Sequence, residues 1–395
     1  MKDKVIPYGR QQITDEDIQA VIETLQSDYL TQGPKIGEFE AAFAQYTGSR
    51  YAVAVANGTA ALHLSVMALG LKVGDQVITT PITFAASANC VRYCGGEVVF
   101  ADIDPETFLL DVHAVRKLLA EVPKGRYKGI IPVDFGGRAV DLEAFRQLAD
   151  EYGLWILEDA CHAPGGYFTD QQKEQHYCGS GKFADLAIFS FHPVKHIACG
   201  EGGMVTTNDE KLYQQLLALR THGITKTEAE YSNTIAFAGG TDHYPGWYME
   251  MQTLGYNYRL TDFQAALGLS QLKRADEGIA RRREIAAVYE QAFAGKTYVK
   301  RQAGVVDGHA YHLYVLEVED RLGLYNHLRS QQIFAQIHYI PCHLMPYYRQ
   351  LGWKEGDMPQ AESYYRNCIS LPMYPSLSAE EQAFVIDEIN RYYHA

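Results

Sequence analysis

Short apolar runs alternate with amphipathic stretches through the first two hundred residues, and this alternation limits the fold more than any other feature of the chain. Residues 51–57 read as a strand and 59–71 as the helix after it. Strands are likewise expected over 75–80, 98–103, 129–135, 154–160, 186–192 and 203–208, with helices over 85–93, 112–121 and 141–152. Most of these runs are apolar throughout, which fits strands buried on both faces by covering helices in a mostly parallel sheet. The chain is therefore expected to be an α/β protein built on about seven such strands. Ligands of such sheets sit beyond the carboxyl ends of the strands. The segments to examine are thus 57–59, 80–84, 134–137, 158–162 and 190–195.

The character changes after Gly203. Residues 231–251 are rich in Gly, Tyr and Asp and read as an irregular excursion, and 255–293 as one long helical region with Thr261 as its N-cap. From about 299, strands at 312–318 and 336–340 mix with helices. A length of 395 residues calls for two domains, a large one over 1–275 and a small C-terminal one over 276–395. An excess of 48 acidic over 35 basic side chains, net charge −13, disfavours nucleic acid and anionic membrane as partners. No stretch reaches the roughly 20 apolar residues that span a bilayer, and the first residues lack the apolar middle of a signal peptide. Seven scattered cysteines without a CxxC pair suggest free thiols in a reducing cytoplasm.

Three strand ends carry chemistry. Asn57-Gly58-Thr59 opens a helix with free N–H groups and a favourable dipole, which suits a phosphate, although such a turn is also common structural punctuation. Asp159, at the end of an apolar strand in Glu158-Asp159-Ala160-Cys161-His162, either caps the next turn or keeps a heterocyclic nitrogen protonated. Lys195 follows a strand end amid apolar and small residues, where desolvation lowers an amine's pKa as covalent catalysis requires. A phosphate cradle, a carboxylate and such a lysine on one sheet edge together fit pyridoxal 5′-phosphate (PLP). Two other patterns are set aside. His192, His196 and Cys199 have zinc-like spacing but lack a fourth ligand, and Pro193 disfavours a regular helix there, so no metal is expected. The Gly179-Ser180-Gly181 run precedes a strand where a dinucleotide motif follows one.

Through ANGTAAL, TPITFAAS, EDACHAPG, FSFHPVKHIACGEGG and GYNYRLTDFQAALGLSQL, nearly the whole chain resembles the DegT/DnrJ/EryC1/StrS sugar aminotransferases. The resemblance implies the fold type I PLP architecture. It makes Lys195 the lysine that bonds the cofactor and moves the proton, so the sequence favours transamination over the dehydration performed by relatives with His there. It also implies that Asp159 pairs with the pyridine nitrogen, His162 lies by the phenolic oxygen and Phe84 stacks on the ring. Gly58, Thr59 and Ser190 would hold the phosphate. Asn257 would reach the neighbouring subunit's phosphate, implying a homodimer with shared sites. Cys199, where relatives carry small residues or Thr, reads as an oxidation-sensitive thiol.

The entry segment and residues 335–348 resemble the branch that aminates C4 of a UDP-linked 4-keto-6-deoxy-N-acetylhexosamine in pseudaminic acid biosynthesis. L-Glutamate would be the donor and 2-oxoglutarate the product, with pyridoxamine 5′-phosphate (PMP) as the half-reaction form. By the same resemblance Tyr8, Asp28, Tyr29, Leu30, Thr31, Gln336, Ile337, His338 and Tyr339 would line the nucleotide-sugar site, while 338–341 also reads as a core strand. Arg259 and Arg220 are candidates to clamp the donor. Rival readings are another 4-keto nucleotide sugar (UDP-bacillosamine-type or dTDP-linked), another fold type I chemistry such as desulfuration or decarboxylation, and a binding module on the same fold.

Overall fold

A computed structural model of the chain describes residues 5–302 and 304–394. Seven strands form the central sheet: β1 (Tyr51–Val55), β2 (Gln76–Thr79), β3 (Glu97–Phe100), β4 (Tyr127–Ile131), β5 (Trp155–Asp159), β6 (Leu186–Ser190) and β7 (Gly203–Thr207). Their order is β1-β7-β6-β5-β4-β2-β3. All pairs are parallel except those of β7, which runs antiparallel to both β1 and β6. Val53, Val55, Ile130, Ile156, Leu157, Leu186, Ile188 and Val205 lie in one buried core with the covering helices, which explains why these strands read as unbroken apolar runs.

The reversal at β7 brings three strand ends together. Gly203 pairs with both Val55 and Ser190, so the turn at Asn57 and the end of β6 meet at one point. A Cβ on Gly203 would stand 2.5 Å from the Asn57 carbonyl oxygen. Gly203→Ala is therefore expected to cost about 1–3 kcal/mol of stability from overpacking. Chemical denaturation measures it, and an unchanged midpoint contradicts this account of the junction.

A second core forms around the antiparallel sheet β8 (Val299–Gln302), β9 (Tyr314–Val318) and β10 (Cys368–Leu371). Helices Ala275–Phe293, Arg321–Ser330 and Ala379–His394 supply Tyr289, Leu324, Leu328, Val385 and Ile389 to it. The strand Ile6–Pro7 pairs in parallel with Ile333–Phe334, and Ile6 is buried in this second core.

Two expectations are corrected. The region 255–293 is two helices, Asp262–Leu272 and Ala275–Phe293, broken where Arg274 turns its guanidinium to the Gln12 carbonyl (2.8 Å) and to Asp17. Residues 336–340 are not a strand. Only Gln336 pairs, exchanging two hydrogen bonds with Ser370, and then side chains satisfy the backbone: the Ile337 N–H donates to Gln336 Oε1 and the Tyr364 hydroxyl to the His338 carbonyl. This leaves residues 338 and 339 free to turn toward the large core. Among the described residues no helix is long and apolar enough to cross a membrane.

Candidate active site

Beyond the carboxyl ends of β5 and β6 lies a cavity of about 450 Å³, lined by residues 57–59, Phe84, Asp159, His162, Ser190 and Lys195 of the first two hundred residues, and by His312, His338 and Tyr339 from later in the chain. One wall is the start of helix Gly58–Ala68. Asn57 Oδ1 accepts from the Ala60 N–H (2.8 Å) and the Asn57 carbonyl from the Ala61 N–H (3.0 Å). The Gly58 and Thr59 amides remain for an anion. A Cβ on Gly58 would meet Ser190 Cβ at 2.9 Å and stand 3.5 Å from Cys161 Sγ, so only glycine keeps this approach open.

Asp159 is buried at the end of β5. Its Oδ2 accepts from Ser87 Oγ (2.6 Å), which is itself 2.8 Å from Thr83 Oγ1, and its Oδ1 accepts from the Cys161 N–H (3.2 Å). Fixed donors hold the carboxylate in one orientation, as a group that must meet a ring N–H requires. Lys195 lines the same cavity. Burial pushes its amine below the ordinary lysine range, and the nearby Cys161 and Asp159 oppose that drop. A larger fraction of the amine is then neutral, the form able to form a covalent bond or take a proton.

The hydrogen-bond network assigns the tautomer of His162. The Gly136 N–H donates to Nδ1 (3.2 Å), so the ring proton sits on Nε2, 3.3 Å from the Tyr339 hydroxyl. Burial holds this histidine well below its usual pKa, hence neutral. A glycine-built anion cradle, a clamped carboxylate and a desolvated lysine around one enclosed space together fit a phosphorylated pyridine aldehyde.

Of the residues expected in the nucleotide-sugar site, Tyr8, His338 and Tyr339 line this cavity. Gln336 and Ile337 do not: Gln336 is held at Ser370, and Ile337 packs among both cores. Asp28, Tyr29, Leu30 and Thr31 are exposed at the start of helix Asp262–Leu272, where the Leu30 carbonyl accepts from the Asp262 N–H and Thr31 bridges Thr261. Asn257 is exposed and bridges Thr221, outside the cavity of its own chain. Arg220 is committed to Glu40 (2.6 Å) and to the Ala54 carbonyl, and neither it nor Arg259 lines the cavity.

Sequence reasoning gave no role to Ser87, Thr83 or His312. A hydroxyl in the expected helix 85–93 and a histidine opening an apolar strand were the available signals. The His312 ring lies 4.3 Å, centroid to centroid, from that of His162, and its Nδ1 is buried without a partner.

The zinc-like triplet does not converge: His192 is exposed, His196 Nε2 donates to the Ala310 carbonyl (2.9 Å), and Cys199 is buried beside Gly268 and Phe39. That burial raises the Cys199 thiol well above its normal pKa, and both the burial and the shift disfavour the exposed thiolate that the expected oxidation needs.

Behind the site, Asp134 and Glu158 are fully buried with Cys178, their ligand atoms within 4.8 Å of one another. Desolvation raises Asp134 to about 7, and desolvation reinforced by the Asp134 charge lifts Glu158 well above its usual value. The folded chain thus keeps a proton that the unfolded chain releases near pH 4. This contribution to stability is complete below that pH and is lost as pH rises toward 7. The buried neutral histidines act in the opposite direction over the same window, so the effect is read as a difference. From about pH 4 to 7 the melting temperature of the wild type should fall relative to that of Asp134→Asn by roughly 2 °C or more; calorimetry at several pH values checks it, and identical slopes exclude a shared proton.

Comparison with known proteins follows from this geometry. The DegT/DnrJ/EryC1/StrS aminotransferase family profile matches residues 11–390. The spore coat polysaccharide biosynthesis protein SpsC of Bacillus subtilis is 41% identical over 396 residues, covering 97% of this chain and 96% of that protein. Helicobacter pylori PseC, an aminotransferase involved in the biosynthesis of pseudoaminic acid, superposes with a TM-score of 0.87 at 30% identity, over 99% of this chain and 100% of that one. Streptococcus pneumoniae Spr1654 in its PLP form gives 0.86 at 28% identity over 99% of each chain, and it is also known in a PMP form.

Proposed function

Because the chain belongs to the DegT/DnrJ/EryC1/StrS aminotransferase family, as a PLP-dependent sugar aminotransferase of the fold type I architecture, we propose that it moves the amino group of L-glutamate to C4 of a UDP-linked 4-keto-6-deoxy-N-acetylhexosamine. The observation that carries this reading is the meeting of Lys195, Asp159 and the Gly58–Thr59 amides around one cavity. PLP, when bound, would supply an electron sink for the donor's α-carbon. The Gly58 and Thr59 amides and Ser190 would hold its phosphate and Asp159 would keep its ring nitrogen protonated, with Phe84 and His162 lining the rest of its site. Lys195 would give the covalent anchorage and carry the proton to and from the substrate carbon.

Tyr8, His338 and Tyr339 then meet the sugar, their rings and hydroxyls suiting a polar pyranose or a uracil face. Residues 28–31 and Asn257, exposed on this chain, act across a homodimer interface, with Asn257 serving the neighbouring subunit's phosphate. Phe237, Trp247 and Leu254, 72%, 72% and 70% exposed on the excursion leading to Asn257, support that interface as an apolar surface in need of a cover. Equilibrium sedimentation is expected to give a dimer, and a fully active monomer contradicts shared sites.

Likeness to PseC supports the pseudaminic acid substrate, made in the cytoplasm, while the higher identity to SpsC supports the wider reading of another 4-keto nucleotide sugar. Supplying the C5-epimerised dehydratase product with glutamate, beside UDP-bacillosamine-type and dTDP-linked ketones, and identifying the products by NMR separates the two.

A further inference from the structure

Asp134 takes no part in the chemistry of the cavity, yet the turn it opens meets the active site at three places. The first is the backbone of Asp159. The Asp134 N–H donates to the Asp159 carbonyl (3.0 Å), and the Asp159 N–H to the Pro132 carbonyl (2.9 Å), so the two strand ends are joined. Asp134 then closes the turn on itself. Its carbonyl accepts from the Gly137 N–H (3.1 Å) and its Oδ1 from the Val140 N–H (2.8 Å). Gly136 and Gly137 take φ of 69° and 99° within it, where a side chain would be strained. Both Asp134 and Val140 are buried, so without the carboxyl oxygen the Val140 amide would lose its partner out of reach of bulk water.

The second and third places are reached by the two glycine peptides. The Gly136 N–H donates to Nδ1 of His162 (3.2 Å). The Gly136 carbonyl accepts from the Leu313 N–H (3.0 Å) and the Gly137 carbonyl from the Ala310 N–H (2.8 Å). The segment that bears His312 thus hangs from the turn that holds His162, and the two rings come to lie 4.3 Å apart. A Cβ on Gly137 would stand 2.8 Å from the Tyr311 nitrogen and 2.9 Å from the His162 carbonyl oxygen, so the turn is gripped from both sides. With Nδ1 engaged from behind and the ring neutral, His162 meets the cavity as a donor only.

We infer that Asp134 is a positioning residue of the active site: by closing the turn that carries Gly136, it holds His162 in one tautomer, with the ring proton on Nε2 and turned into the cavity. The consequence for catalysis rests on the aminotransferase reading of that cavity, whereas the tautomer does not. The rival source of the tautomer is Tyr339, whose hydroxyl lies 3.3 Å from Nε2.

Magic-angle-spinning NMR of the full chain with nitrogen-labelled histidine reads the proton on each ring nitrogen, and His162 is assigned by the signals that His162→Gln removes. Before cofactor is added, the wild type should show His162 with a protonated Nε2 and a bare Nδ1; a proton on Nδ1 overturns the inference outright. Asp134→Asn keeps an acceptor for Val140 while its NH2 turns toward the unpartnered Glu158 Oε1, so it should keep the tautomer. Asp134→Leu, of similar shape without an acceptor, should give a mixture of both tautomers, and Tyr339→Phe should change nothing. In single-turnover conversion of the PLP to the PMP form by glutamate, Asp134→Leu should lower the limiting rate by about 10-fold with little change in the half-saturating concentration, and Asp134→Asn should restore most of it. A single tautomer in Asp134→Leu, or its loss in Tyr339→Phe alone, overturns the assignment, as does a limiting rate that Asp134→Leu leaves unchanged. Should Asp134→Leu fail to fold, Asp134→Ala takes its place, and the wild-type and Tyr339→Phe spectra test the assignment on their own. A tautomer that follows Asp134 in a protein that converts no donor leaves the positioning standing and removes the aminotransferase reading instead.

Discussion

Lys195→Ala is expected to lose turnover by about 10⁴-fold or more while still binding PMP. The magnitude follows from losing two functions at once, the covalent anchorage and the proton transfer, the second alone being worth about 10²–10⁴-fold. Binding should survive because the other groups of the cavity, the Gly58 and Thr59 amides and Asp159, are held by contacts that do not involve the amine. Rapid-quench kinetics measure the first effect, and fluorescence titration of the apoprotein with PMP the second. Near-normal turnover would remove Lys195 from the chemistry, and loss of PMP binding would show that it is instead a structural support.

Asp159→Asn should lower turnover by on the order of 10²–10³-fold, as expected when one preorganised electrostatic partner is removed from an enclosed site. The amide keeps the shape: its oxygen accepts from the Cys161 N–H, while its NH2 donates to Ser87 Oγ, whose own proton turns to Thr83 Oγ1, so stability should change little. It lacks the charge that keeps a pyridine nitrogen protonated, and α-deuterated glutamate should reveal proton abstraction as more strongly rate-limiting. An unaltered rate with an unaltered isotope effect would break the proposed pairing. Ser87→Ala probes the same carboxylate from behind and should act in the same direction with a smaller effect, since one neutral donor is lost rather than the charge.

The central sheet was legible because strands buried on both faces leave unbroken apolar runs, and all seven expected runs became its strands. Strand direction was not legible: residues 203–207 are apolar and β-branched whichever way they run, so the antiparallel setting of β7 has no local signature. Residues 336–340 misled because their apolar–polar alternation imitates a half-buried strand, whereas their backbone groups are satisfied by Gln336, Tyr364 and Ser370. Lys195 and Asp159 stood out as charges at apolar strand ends, the rarest kind of position for them. Ser87, which holds Asp159, and His312, which packs beside His162, carry no pattern in the sequence, since supporting contacts depend on which distant segments meet. Residues 28–31 and Asn257 lie outside the cavity, exposed on the surface of the chain.

The peptide bearing Lys195 leaves β6 and returns as β7, closed at its base by the Phe191 N–H to the Gly202 carbonyl (2.8 Å) and by the pairing of Ser190 with Gly203. Beyond that base the loop is moored to the second half of the chain, by His196 to the Ala310 carbonyl, by the Ala198 N–H to Gln271 and by Ile197 and Cys199 in a buried cluster. The reacting amine is thus carried on a strut between structural members, and altering its neighbours at 196–199 would disturb the joint they make as well as the chemistry.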